Sequence, residues 1–201
     1  MKIIERFLPL FGIAGAVFYF SHVIFGTMLY TDYDSMSQAI SDLTAANSPS
    51  RKIAFPFSLL YGIFTVVFSS YFFLFFKQKI NKLITFGAGI FCIMTIVSFF
   101  GYTFFPLSEA GYAGTFQDIM HIIITAIVVV FTIISLMLFI IGFFRTKDIK
   151  YLGTISLCTF LLLLAGAMLI NILPDNYFGI AQRINAFSCV IYTGILSICR
   201  A

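Results

Sequence analysis

Only two histidines stand in this sequence, His22 and His121, and both fall inside long apolar runs. Ionisable groups in such runs are rare and face a protein interior or a water-filled cavity. The other reactive types gather around three short texts: Ser41-Asp42, Asp118 three residues before His121, and Gln182-Arg183. These residue types suit three chemistries. Two histidines with carboxylates could hold zinc through nitrogen and oxygen ligands, although no HxxxH or HExxH supplies a local ligand pair. Ser41, His121 and Asp42 could serve as nucleophile, base and orienting acid. Asp118, Arg183, His22 and Gln182 could instead line a binding pocket for a polar head group, with no bond made or broken. The structural reading of the same residues is two unrelated interfacial histidines, with an Asp118 that does no more than complement a helix N-terminus.

The elements that must position these residues follow from composition. Hydrophobic residues make up 61% of the 201 positions and charged residues 10%. A soluble domain needs roughly 25% charged residues to dress its surface. With a mean hydropathy of +1.05, the solvent of most of this surface is lipid. Six apolar stretches, about 8–30, 53–76, 83–105, 119–144, 151–173 and 184–200, each reach the length of a membrane-crossing helix, which satisfies its own backbone hydrogen bonds. The expected fold is therefore an all-α integral membrane protein, a single six-span bundle over residues 1–201. The first run lacks a small-x-small cleavage site and reads as a retained span.

Charge sets the orientation. With the N-terminus inside, Lys2, Arg6, Lys77, Lys79, Lys82, Arg145, Lys147, Lys150 and Arg200 are cytoplasmic, nine of the twelve basic residues. Arg51, Lys52 and Arg183 lie outside, and the positive-inside rule places both termini in the cytoplasm. Six of the eight acids, Asp32, Asp34, Asp42, Glu109, Asp118 and Asp175, are then outside, with Glu5 and Asp148 inside. The plasma membrane is the expected location and membrane lipids are the expected partners. No basic run with interleaved aromatics points to nucleic acid. No pattern specifies a cofactor, a metal, a protein partner or a homo-oligomer. Cys92, Cys158, Cys189 and Cys199 lie in apolar stretches without CxxC or paired spacing, which fits packing and not a disulfide framework.

Two outer segments carry helix-start signals. Ser35-x-x-Gln38 fits a capping box, and Met36, Ile40 and Leu43 share one helical face, so a short amphipathic helix is predicted within 35–46. Thr115-x-x-Asp118 opens the fourth span in the same way. Gly114-Thr-Phe-Gln-Asp118-Ile and Gly179-Ile-Ala-Gln-Arg183-Ile share a G-x-x-Q-charge-Ile pattern, which suggests related hairpins with Asp118 and Arg183 in matching first-turn positions. An arginine there opposes the macrodipole, so a carboxylate, Asp42 or Asp118, is the expected partner of Arg183. Small and polar stripes mark the interior: Gly12, Gly15, Tyr19, His22 and Gly26 in span one, Ser58, Gly62, Thr65 and Ser69 in span two. Span three adds Thr85, Gly89, Cys92, Thr95, Ser98 and Tyr102, and span four His121, Thr125 and Thr132.

Gly12-x-x-Gly15, the text Tyr33-Asp-Ser-Met-Ser-Gln-Ala-Ile-Ser41-Asp42-Leu43, Phe105-Pro106, His121 and Gly179-x-x-Gln182-Arg183 together resemble one group. It is the bacterial and archaeal membrane proteins classed as the domain-of-unknown-function family numbered 998. That family usually has Gly where Thr44 stands and often Glu where Gln182 stands. The resemblance implies six spans and carries no activity with it. The working expectation is an outward-facing polar site at the outer leaflet that binds or hydrolyses a lipid-like molecule. The alternative is a non-enzymatic protein, such as a small transporter, an immunity or stress factor, or a partner subunit.

Overall fold

Apolar runs of twenty or more residues have few ways to satisfy their backbone in hydrocarbon, and helices are the local one. A computed structural model describes residue 7 and residues 9–77 and 81–198. Among the described residues there are six α-helices and no strand. They are α1 (Leu10–Leu29), α2 (Arg51–Lys77), α3 (Lys82–Phe104), α4 (Phe116–Phe144), α5 (Lys150–Ile172) and α6 (Phe178–Ile198). Short 3-10 turns stand at Ile40–Thr44, Lys147–Ile149 and Asp175–Tyr177. The N-terminal charges Lys2, Glu5 and Arg6, together with Gln78, Lys79, Cys199 and Arg200, lie outside the described residues.

Five of the helices are long and apolar enough to cross a membrane. The sixth, α6, runs 21 residues but carries Gln182, Arg183 and Asn185 near its start and Ser188, Thr193 and Ser197 on its buried side. It begins six residues before the apolar stretch expected at 184, because its first turns are polar without being loop.

The helices pack as a ring. Each touches its chain neighbours, and α1 closes the circle against α6. The end of the ring away from the 31–50 loop is filled with rings: Phe68, Phe72 and Phe76 of α2, Phe91 of α3, and Phe139 and Phe143 of α4 share one buried cluster. Phe139 meets Phe72 edge-on at 5.8 Å and stacks on Phe143 at 5.3 Å. Such pairs add about 0.5–1.5 kcal/mol beyond area burial. The α1 stripe is placed as its pattern predicts, with Gly12, Gly15, His22 and Gly26 buried. Of the α3 stripe only Thr95 is buried. The buried face of α3 is Gly87, Ala88, Phe91 and Thr95, because Phe139 of α4 packs where a Gly87 side chain would stand. Small residues follow the large neighbour they receive, and that neighbour is on another helix.

The first long loop also departs from expectation. It forms no extended amphipathic helix; Ile40–Thr44 is a single 3-10 segment that dips into the ring. Asp34, not Ser35, organises its start: the Asp34 carboxylate accepts from Met36 N–H and Ser37 Oγ, while Asp34 N–H donates to Gln38 Oε1. Met36 is exposed, whereas Ile40 and Leu43 are buried. Leu43 is 0% exposed and fits against Gly26 and Ala54. Burying it contributes about 1.5–3 kcal/mol. The C-terminal carbonyls of the turn are held from α2, Leu43 O by Ser50 Oγ at 2.8 Å and Thr44 O by the Arg51 guanidinium.

Candidate functional site

The polar residues singled out above converge at the end of the ring that the 31–50 loop covers. Asp118 opens α4 through the expected capping box: Thr115 Oγ1 accepts from Asp118 N–H at 3.3 Å, and Asp118 Oδ2 accepts from Thr115 N–H at 3.1 Å. The same carboxylate accepts from Ser108 N–H (2.7 Å) and from Ser108 Oγ. At 0% exposure, its oxygens are engaged by the 106–115 loop.

Asp42 works in parallel on the other side of the cap. It is 2% exposed, and its oxygens accept from Ala39 N–H at 3.1 Å and Gly111 N–H at 3.2 Å. Burial raises its pKa. The two N–H donors and then the Arg183 guanidinium pull it back. Asp42 therefore stitches the first loop to the 106–115 loop, beside two further backbone bonds, Ala46 N–H to Leu107 O and Asn47 N–H to Ser108 O. Ser41 lies next to it and offers its carbonyl to Thr44 Oγ1. Among the described residues Ser41 Oγ makes no hydrogen bond to His121, so the nucleophile–base contact is not formed.

Arg183 does not take the carboxylate partner expected of it. Nη1 donates to Gln38 O (3.0 Å) and to Gly179 O (2.9 Å), and Nη2 donates to Tyr33 Oη, with the guanidinium over the Tyr33 ring. The reason lies in α6, which starts at Phe178. Arg183 is its sixth residue, not a first-turn match of Asp118. From there its side chain reaches back toward the helix start, where the loop passes. Gln182 Oε1 accepts from Ile40 N–H at 2.8 Å, an acceptor role that Gln and Glu share. Ile180 N–H, unsatisfied within the first turn of α6, donates to Met36 O.

Gly179 is what lets the loop come so close. A Cβ there would stand 2.6 Å from the carbonyl oxygens of both Ser35 and Gln38. Gly114, its counterpart in the repeat, has another reason to be glycine, a φ of +76° just before the α4 cap. The two glutamines of the repeat both reach the main chain of a loop but in opposite senses, Gln117 Nε2 donating to Pro106 O and Gln182 Oε1 accepting from Ile40 N–H. The glycines and the charges differ more, in conformation and in partners.

Both histidines use Nδ1 on a backbone carbonyl, His22 on Tyr19 O (3.1 Å) and His121 on Phe105 O (2.9 Å). A carbonyl only accepts, so each Nδ1 carries the hydrogen and each neutral ring presents Nε2 as a lone pair. His121 is 8% exposed and lies 4.9 Å from the Tyr102 ring, whose hydroxyl donates to Thr125. His22 packs on Tyr19 at 5.2 Å, and Tyr19 on Tyr61 at 4.8 Å. Among the described residues no three His, Cys, Asp or Glu side chains gather as a metal site would need.

The tyrosines are the residues that sequence reasoning undervalued. Tyr19 of α1 lies within electrostatic reach of Tyr61 (α2), Tyr102 (α3), and Arg183 and Cys189 (α6). Tyr61 in turn senses Tyr102 and Cys189. Three helices thus bring tyrosines to the cap half of the ring, Tyr19 packing on Tyr61 and Tyr102 on His121 of α4. Tyr19, Tyr61, Tyr102 and Cys189 are surrounded by protein, yet each retains partial exposure. Tyr19 and Tyr102 were part of the interior stripes; Tyr61 was detectable as the neighbour of Gly62 but had no partner to identify it.

Set beside known proteins, the chain matches no curated protein and no solved structure. Residues 13–198 match the family described as "Protein of unknown function (DUF998)". That match spans nearly the whole chain, so this multi-pass membrane protein belongs to the DUF998 family.

Proposed function

We propose that the chain is a single six-span domain of the plasma membrane with both termini in the cytoplasm. In this reading the loop-covered chamber faces outward and binds the polar head of a membrane amphiphile, without catalysing its breakdown. The six-span count rests on α6, which runs along both α5 and α1 and turns its buried Ser188, Thr193 and Ser197 into the ring. A helix that hides its polar side in a bundle needs no higher hydropathy to cross. The orientation rests on the nine-to-three split of basic residues.

The observation that carries the binding role is the set of polar rings at the cap end, His22 on Tyr19 at 5.2 Å, Tyr19 on Tyr61 at 4.8 Å and Tyr102 on His121 at 4.9 Å, with Arg183 bound to the loop that covers them. Hydroxyls and lone pairs that converge inside apolar walls are the pattern of a ligand pocket. Hydrolysis has less support, because Asp42 is engaged by backbone N–H groups and His121 is oriented by Phe105 O. The test is a thermal-shift panel of amphiphiles on the detergent-solubilised protein, repeated with Tyr61→Leu and His121→Leu. At least one head-group class should raise the wild-type melting temperature, and both variants should weaken that response about tenfold in apparent affinity. Equal responses in wild type and variants would overturn the chamber. Ester-bearing amphiphiles should be recovered intact after incubation; turnover abolished by His121→Ala would replace binding with hydrolysis.

A further inference from the structure

The seam where α6 closes the ring against α1 holds an open groove of about 480 Å³. Its walls are Ile13, Val17, Phe20 and Ile24 from α1 and Ile191 and Ile195 from α6. Val17 and Ile191 are 57% and 49% exposed on its rim. At its upper end Phe20 meets Phe187 edge-on at 5.1 Å, and Phe187 also faces the Tyr19 ring at 6.3 Å. On α6, Arg183, Phe187, Ile191 and Ile195 follow at intervals of four residues, so they form one line down the helix surface. The line begins at a guanidinium and ends in hydrocarbon.

Arg183 is only partly consumed. Of five N–H donors, two on Nη1 and one on Nη2 are used by Gln38 O, Gly179 O and Tyr33. Nε–H and one Nη2–H remain, and Nε and Nη2 share one edge of the planar fork, the geometry that grips a carboxylate or phosphate with two parallel bonds. Among the described residues no carboxylate takes that edge. Arg183 stands about two turns of α6 before Ile191, where the groove begins on that helix, and a cation that near an apolar groove open to lipid is complementary to one kind of occupant.

We infer that the α1–α6 seam holds the hydrocarbon chain of an anionic-headed membrane lipid, its head on the Nε–Nη2 edge of Arg183 and its chain passing the Phe20–Phe187 pair into the groove. This rests on the head-group reading of the chamber and adds the class of ligand and the route of its tail. It predicts selection for charge in the head and for length in the chain.

The full-length protein in mild detergent is titrated with lysophosphatidylglycerol, its choline counterpart and glycerol 3-phosphate, and bound mass is read by native mass spectrometry. Val17→Trp and Ile191→Trp fill the groove from opposite walls at membrane-exposed positions, so folding should survive; melting temperature checks it. The expected result is tighter retention of the glycerol than of the choline lysolipid. Each tryptophan should lower lysolipid affinity at least tenfold and leave glycerol 3-phosphate binding unchanged. Arg183→Lys, which keeps the charge and loses the fork, should weaken both anionic probes. Unchanged lysolipid binding in both tryptophan variants, with loss in Arg183→Lys and Tyr61→Leu, would overturn the groove and leave the chamber standing. Indifference of every probe to Arg183→Lys and Tyr61→Leu would overturn both. Equal retention of the two lysolipids would overturn the anionic head. A tryptophan that converts a dimer to a monomer without altering lipid binding would mean that a second copy covers the groove, which also overturns the inference.

Discussion

Burial and hydrogen bonding act against each other on Asp42, and that opposition has a measurable sign. Its pKa is raised, with burial as the largest cause, while the Gly111 and Ala39 N–H groups oppose the rise. The folded protein therefore binds more protons than the unfolded chain between the ordinary carboxylate pKa and the raised one. Asp42 favours the closed cap fully below that window, and the contribution is lost as pH rises through it. The wild-type-minus-Asp42→Asn difference in melting temperature should accordingly fall as pH increases across the window; a difference that stays flat, or rises, would contradict the assignment. Asp42→Leu should be worse than Asp42→Asn at every pH, because it strands two N–H groups at about 1–3 kcal/mol each. Some of this was legible in the residues themselves. Thr115-x-x-Asp118 announces its own hydrogen bonds, since both partners lie within one turn. The remote partner of Asp42, Gly111 N–H, and that of Arg183 on the first loop, Gln38 O, are main-chain groups, and a main-chain carbonyl or N–H has no letter in the sequence.

At the scale of elements, the first loop and the start of α6 form one unit. Ser35 and Gln38 carbonyls lie on Gly179, Met36 O caps Ile180, and Gln182 and Arg183 reach into the loop. Gly179→Ala should push the loop away, because its Cβ meets two backbone oxygens that cannot rotate aside. Hydrogen exchange at the amides of 36–44 should quicken, and unchanged protection there would refute the contact. Gly114→Ala should cost about 1–2 kcal/mol through its left-handed backbone and spare the first-loop amides, separating the two glycines of the repeat by experiment. The helical face Met36–Ile40–Leu43 was a sound periodic pattern with the wrong period. Asp34 and the anchoring of Thr44 O by Arg51 hold the segment as a turn and a short 3-10 helix.

Over the whole molecule, the prediction concerns sidedness. Cysteines placed at Ser48 or Ala110 should react with an impermeant thiol reagent added outside intact cells, and a cysteine at Gln78 should not. The reverse result would invert the molecule and move the chamber to the cytoplasmic side. The measurement is informative because the basic residues that decide orientation sit at chain positions alternating with the covered cap. The same geometry gives the ring two different halves. One is packed solid with phenylalanine around Phe72, Phe139 and Phe143, while the other gathers Tyr19, Tyr61, Tyr102 and both histidines beneath the loop that Arg183 holds. The proposed ligand chamber is accordingly placed at the cap end, where the polar side chains are.

The membrane class, the apolar helices and the α4 cap were determined by the sequence alone, because hydropathy over twenty residues and a four-residue capping box are local properties. Family membership was legible for the same reason, through short texts such as Ile40-Ser41-Asp42-Leu43 and Gly179-x-x-Gln182-Arg183. Only the tertiary structure decided that Arg183 holds a loop carbonyl and Tyr33 instead of a carboxylate, that α3 buries Gly87 and not Gly89, and that Tyr19 packs on Tyr61 and Tyr102 on His121. Each of those depends on which helix faces which across the ring. Rotation of a helix about its axis is set by the side chains it meets, and those lie far away in the chain.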